Sequence, residues 1–216
     1  MGDETTTHEA TVMMKFKANT RRDLPRIAEK LQLSRDQLTA MRAVSAVLPF
    51  RVNDYVIENL IDPKSIPNDP IFQLTFPQRG MLEEIDFQRM RDLVTKGASE
   101  SEIKLAADKI RGQLNPHPAG QMQLNVPSLG GEVVGGMQHK YQETVLFFPS
   151  QGQTCHAYCS YCFRWAQFVG DADLKFASRE ADQLVNYVRD NPQVSSVLFT
   201  GGDPMVMKTS VLRRYI

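Results

Sequence analysis

Two apolar runs on either side of an amphipathic stretch limit this chain more than any other feature. Residues 143–149 (ETVLFFP) and 194–200 (VSSVLFT) are rich in β-branched and aromatic side chains, the pattern of strands buried on both faces. Residues 178–191 between them read as a helix. Ser178 is placed as its N-cap, Ala181, Leu184, Val185 and Val188 fall on one face, and Pro192 stops it. A strand–helix–strand unit of this kind is parallel by default, with a right-handed crossover. Ligands of parallel α/β folds sit at the C-terminal ends of the strands.

Both strand ends carry a signal. Loop 150–154 leads from the first strand into Cys155, Cys159 and Cys162, the only three cysteines of the chain. Their clustering within eight residues, odd in number, points to a metal or redox role and away from a disulfide framework. A zinc site would need a fourth ligand, for which His156 and His139 are the candidates. An iron–sulfur cube held by three cysteines instead leaves one iron open to a small molecule. The second strand runs directly into Gly201-Gly202-Asp203-Pro204. Two adjacent glycines let backbone approach a ligand closely, and the exposed amides and carbonyls of such a turn bind polar groups. The topology therefore aims both signals, about forty residues apart in sequence, at one site.

Composition removes several classes of function. Lys plus Arg and Asp plus Glu each total 25 in 216 residues, so there is no basic footprint for nucleic acid and no pull toward anionic lipid. No window of 18 uninterrupted apolar residues and no secretion signal are present. Gly2 and Thr6 fit a loose myristoylation pattern, but Asp3 and Glu4 make a poor anchor. The expected setting is the cytoplasm.

Residues 1–114 read as a mostly helical region. Ser34-Arg-Asp-Gln37 and Ser99-Glu-Ser-Glu102 are capping-box starts. The first helix runs through Val47 with Leu38, Met41, Ser45 and Leu48 on one side, and the second carries Ile103, Ala107, Ile110 and Leu114. A further helix is expected around 79–95, and Met13, Met14 and Met41 are read as core filler. Residues 115–142, rich in Gly and Pro, form a linker or extended arm, with His117, His139 and Lys140 in solvated loop. No internal repeat, phosphate-binding loop or Ser–His–Asp signature is found.

The segment Cys155-His-Ala-Tyr-Cys159-Ser-Tyr-Cys162 resembles the cysteine motif of the radical S-adenosylmethionine superfamily. Pro49-Phe-Arg-Val-Asn-Asp-Tyr-Val, the stretch from Ile66 to Leu74 and Thr200-Gly-Gly-Asp-Pro204 are similar to the lysine 2,3-aminomutase group within it. The likeness covers about residues 45 to 216. It implies an α/β fold in which the helical region 1–114 and the arm 115–142 precede the first units, 143–216, of a partial (β/α)6 barrel, incomplete at the C-terminus. It also implies that Cys155, Cys159 and Cys162 bind a [4Fe–4S] cluster and that S-adenosylmethionine chelates the open iron. Gly201, Gly202 and Asp203 then hold the methionine amino group, with Tyr161 near the adenine.

The implied activity is that of an isomerase. S-adenosylmethionine is cleaved to a 5′-deoxyadenosyl radical, and an amino group migrates in an amino acid, L-lysine or similar, bound to pyridoxal phosphate. The lysine that carries pyridoxal phosphate belongs to a later part of the barrel than residues 1–216 cover, so no lysine here is given that role. Phe163-Arg-Trp-Ala-Gln-Phe168 replaces the family's basic run and keeps only Arg164. Partners implied are the amino acid and a reducing donor such as flavodoxin or ferredoxin, with room for a homo-oligomer. A non-catalytic iron–sulfur or zinc module, or an inactive truncated remnant, is the alternative.

Overall fold

A computed structural model describes residues 17–117, 120, 122–173 and 175–216. The myristoylation pattern at Gly2 and Thr6, and Met13 and Met14, lie outside the described residues. Strand β1, Ala18–Thr20, pairs antiparallel with β2, Arg51–Asn53, and between them run helices α1, Leu24–Lys30, and α2, Arg35–Val47. Helices α3, Pro70–Thr75, α4, Glu84–Thr95, and α5, Glu100–Gln113, complete the helical region. Both expected capping boxes are present. Ser34 Oγ accepts from the Gln37 amide at 3.1 Å while the Ser34 amide donates to Gln37 Oε1 at 2.8 Å, and Ser99 and Glu102 repeat the exchange. The helix expected around 79–95 begins later, because Arg79–Met81 forms a separate 3-10 turn.

Helix α2 serves two cores. Met41 packs with Leu24, Ile27, Phe72 and Phe76, whereas Val44 and Val47 pack with Phe87, Met90 and Ile110. Its C-terminal carbonyls meet a cation, as the helix dipole favours. Arg111 Nε donates to the Val47 carbonyl at 2.7 Å and Nη2 to that of Ala46 at 3.0 Å, while Nη1 donates to Asp108 at 2.8 Å.

Within 115–142 lie a two-residue hairpin, β3, Ser128–Leu129, with β4, Glu132–Val133, and then strand β5, Met137–Tyr141. Strand β5 runs antiparallel to β6, Thr144–Phe147. The sheet thus starts before residue 143. Gly136 (φ +76°) turns the chain into β5 where an added Cβ would overlap the Ala177 and Ser178 backbone. Helix α6, Ala181–Asp190, then crosses to β7, Ser196–Phe199, parallel to β6 with Val145 opposite Val197 and Phe147 opposite Phe199.

Three local expectations need correction. Burial on β6 alternates: Val145 and Phe147 are buried against Leu184 and Tyr187, whereas Leu146 is half-buried and its neighbour Leu198 on the edge strand is 53% exposed. Among the described residues, only one sheet face is fully covered. Ser178 is not the cap of α6. Its backbone is committed to the sheet end, donating to the Phe148 carbonyl and accepting from the Ser150 amide, so the helix starts after Glu180. Tyr187 rather than Val185, which is 44% exposed, then completes the buried face.

The cap on α2 is open to test. Arg111→Met keeps an apolar stem and removes all three bonds. It should lower stability by about 1–3 kcal/mol, read as a shift in urea midpoint at unchanged m-value.

Candidate functional site

The cysteine loop begins where β6 ends. The Thr200 amide donates to the Phe147 carbonyl at 2.9 Å, so the ends of β6 and β7 stay together, and Ser150–Gly152 turns the chain into residues 153–163. Backbone bonds fix this loop from two sides. Toward the helical region, the Tyr158 amide donates to the Arg51 carbonyl at 2.9 Å and the Ser160 amide to that of Leu74 at 2.7 Å. Ala157 packs on the first helical core. Toward the sheet, the Asp203 amide donates to the Thr154 carbonyl at 2.7 Å.

The glycine turn therefore lies directly on the cysteine loop. A Cβ at Gly202 would overlap the Gly152 carbonyl oxygen and the Thr154 backbone. At Gly201, whose φ is +108°, a Cβ would sit 2.5 Å from the side-chain amide of Gln153. That amide closes the junction: Nε2 donates to the Pro149 carbonyl at 3.1 Å and the Thr200 carbonyl at 3.2 Å. The Asp203 carboxylate accepts from the Met205 amide at 2.9 Å and caps the turn Pro204–Val206.

Cys155 and Cys162 are half-buried and Cys159 is exposed, all three as free thiols. Burial pushes the Cys155 thiol up to about 11, with Cys162, Asp203 and Cys159 adding to the rise and Arg51 opposing it. Cys162 is likewise raised, chiefly by burial, with the Arg164 backbone amide opposing. Cys155 and Cys162 thus sense the neighbouring thiols, and a cation among them would favour their ionisation. Arg164 is buried, its guanidinium 4.1 Å from the centre of the Phe148 ring, and burial brings it down to about 10. Among the described residues, no group of three or more His, Cys, Asp or Glu side chains is arranged to hold a single metal ion. The thiols of a cube bind three different irons, so the donor set suits a cluster through its chemistry.

Tyr161 is 78% exposed and borders a cavity of about 440 Å³ together with Leu48, Met81, Cys159, Phe163 and Trp165. His156, one zinc candidate, is exposed. His139, the other, has both ring nitrogens engaged, with the Tyr187 hydroxyl at 2.6 Å and the Gln142 carbonyl at 3.2 Å. It belongs to the sheet's packing. His117, expected in solvated loop, is half-buried with both ring nitrogens shielded, and burial beside Arg164 lowers its basicity. Sequence reasoning missed Arg51, Leu74 and Gln153. Leu74 acts through its carbonyl and Arg51 through its carbonyl and its charge near Cys155, and the only signal for Gln153 was a polar residue just beyond a buried strand.

These features define an α/β protein that sets a three-cysteine loop against a glycine turn at the ends of two parallel strands. No family model matches the chain. It is 35% identical over 83 residues, 38% of its length, to an Aquifex aeolicus (strain VF5) protein provisionally named L-lysine 2,3-aminomutase, of which 21% is covered. The L-lysine 2,3-aminomutase of Clostridium subterminale is 32% identical over 83 residues, 38% of this chain and 19% of that enzyme. A longer match at 21% identity, again to a protein of Aquifex aeolicus provisionally so named, takes in 194 residues, 90% of this chain and 42% of that protein. The chain is thus similar to lysine 2,3-aminomutases over part of its length, and it spans less than half the length of these relatives. Among the described residues no helix is long and apolar enough to cross a membrane.

The junction is tested by paired alanines. Gly202→Ala should cost about 1–3 kcal/mol, because the loop or the turn must move away. It should also speed hydrogen exchange at the Asp203 amide. Gly112→Ala, within α5 with open space around it, should instead stabilise by about 0.5–1 kcal/mol in the same thermal melts.

Proposed function

We propose that the chain carries the cofactor-binding half of a radical S-adenosylmethionine aminomutase. In this reading Cys155, Cys159 and Cys162 hold a [4Fe–4S] cluster, and Gly201, Gly202 and Asp203 receive the methionine end of S-adenosylmethionine. Tyr161 borders the adenine. The observation that carries the reading is the docking of Gly202 and Asp203 on Gly152 and Thr154. It brings the cysteine loop and the glycine turn to one place at the strand ends, where a ligand shared between them belongs.

When bound, the cluster and S-adenosylmethionine supply a carbon-centred radical able to take hydrogen from an unactivated C–H bond. The chain's own part is to bind, orient and shield. Half-buried Cys155 and Cys162, with buried Phe148 and Arg164 behind them, keep water from the inner side of the site. Cys159 is the exposed member, and an electron from a donor such as flavodoxin or ferredoxin reaches the cluster from its side.

The domain reading is part of this proposal. Of residues 1–114, those described are a mainly helical region that holds the cysteine loop; 115–142 are an arm that adds β5 to the sheet, and 143–216 the first strand–helix–strand of a partial (β/α)6 barrel. Amino-group migration, pyridoxal phosphate and a cytoplasmic setting come with the family likeness, and no lysine of this chain is assigned to pyridoxal phosphate.

Anaerobic reconstitution with iron and sulfide should give about four irons per chain, the content of one cube, and a reduced EPR signal that changes when S-adenosylmethionine is added. Cys159→Ala should lose the cluster. An unchanged signal from a folded, fully loaded protein overturns the reading. One tightly held zinc in place of iron would make the chain a structural metal module.

A further inference from the structure

The described arginines of the helical region have one of two settings, with a single exception. They face a carboxylate, as Arg26 does Asp54 and Arg111 does Asp108, or they stand exposed, as Arg22, Arg42 and Arg89 do. Arg51 does neither. It is half-buried, and its side chain makes no hydrogen bond or ion pair with any described residue. Its Nε is sealed in the interior with no acceptor, whereas its two Nη groups are not sealed.

The place of this residue is set by its backbone. Strand β2 pairs Arg51 with Thr20, and the flanking Phe50 and Val52 are buried in the first helical core. The Arg51 carbonyl accepts from the Tyr158 amide at 2.9 Å, which pins the residue against the cysteine loop. Its charge is felt along that loop, where it opposes the upward push of burial on both the Cys155 thiol and the Tyr158 hydroxyl. A guanidinium stays charged, and a charge taken out of water without a counter-charge is costly. Asp54, the carboxylate closest to it in sequence, is engaged by Arg26 and Asn19. The negative charge that completes Arg51 is therefore sought on the loop it is pinned to, where three thiols become thiolates on binding a cluster.

We propose, resting on the radical S-adenosylmethionine reading, that Arg51 is a positioning residue whose fixed charge stabilises the reduced state of the cluster at Cys155, Cys159 and Cys162 and so raises its reduction potential. A donor such as flavodoxin or ferredoxin gives up one electron and is oxidised, the cysteine-bound cube gains that electron and one negative charge, and no bond forms or breaks. Arg51 favours the more negative state because a fixed cation attracts the added charge strongly where water is excluded. It acts through space and needs no contact with the cube. Burial of Nε keeps the charge from swinging away into solvent.

The test is an EPR-monitored dithionite titration of the full 216-residue chain after anaerobic reconstitution. It is run first without S-adenosylmethionine, so that binding of that molecule does not enter, and then with it. R51Q should load iron as the parent does and lower the reduced-to-oxidised ratio at a fixed potential by about tenfold, which is about 59 mV for one electron. R51K keeps the charge and should stay within about threefold of the parent. The inference is overturned by R51Q staying within about threefold of the parent, or by R51K falling as far as R51Q. Weaker S-adenosylmethionine binding by R51Q at unchanged potential also overturns it, since Arg51 would then serve that ligand. If R51Q loads no cube, R51K decides. A loaded cube at the parent's potential upholds the charge as what the site needs, and loss of the cube in both variants makes the role one of shape and overturns the inference. A cube whose potential depends on residue 51 but whose signal ignores S-adenosylmethionine would leave this inference standing and remove the radical reading. An S-adenosylmethionine-responsive cube indifferent to residue 51 would do the reverse.

Discussion

Three backbone hydrogen bonds hold the segment on which everything else in this molecule turns. Residues 153–163 contain no helix or strand, so their shape must be imposed from outside, against a backbone entropy of about 1–2 kcal/mol per residue. Arg51 and Leu74 offer carbonyls from the helical region, Thr154 offers one to Asp203, and Ala157 is pressed into the first helical core. The helical region is therefore a clamp on the cysteine loop rather than an appendage before the sheet. This gives a physical reason for helices α1 to α5 to stand ahead of the first parallel strand.

The glycine turn works by absence. With side chains at 201 and 202, the turn could not lie on the loop, because the space is filled by the Gln153 amide and by the Gly152 and Thr154 backbone. Gln153 then does what a side chain at either glycine could not. It bridges the ends of β6 and β7 through two carbonyls and leaves its oxygen buried without a partner beside Gly201. Loop, turn and amide form one unit, and a displacement of any of them is felt at the cysteines.

What could be read from the sequence divides along a physical line. Interactions closed within three or four residues were legible: the capping boxes at Ser34 and Ser99, and the strand-to-turn junction at Thr200 and Gly201. The convergence of the cysteine loop and the glycine turn was also legible, because parallel topology puts successive strand ends side by side. Long-range commitments were not. Nothing local tells that Ser178 gives its backbone to Phe148 and Ser150 and so cannot cap α6. Nothing local makes His139 the partner of Tyr187 across 48 positions, or gives β5, in a Gly-rich stretch, a place beside β6. The alternation on β6 and β7 also escaped, since a run apolar throughout gives no sign of which face stays uncovered.

The electrostatics of the cysteine loop run against its own ionisation. Burial raises Cys155 and Cys162, Cys159 raises both, Cys162 raises Cys155, and Asp203 adds to the effect at Cys155. The nearby cations do little to reverse this: Arg51 only opposes the rise at Cys155, and Arg164 meets Cys162 chiefly through its backbone amide. A nucleophilic or redox-active cysteine needs the opposite setting, with its thiolate favoured. Cys155 and Cys162, whose thiolates are disfavoured, suit a different use, in which a multiply charged metal group would displace their protons and supply the compensating charge itself.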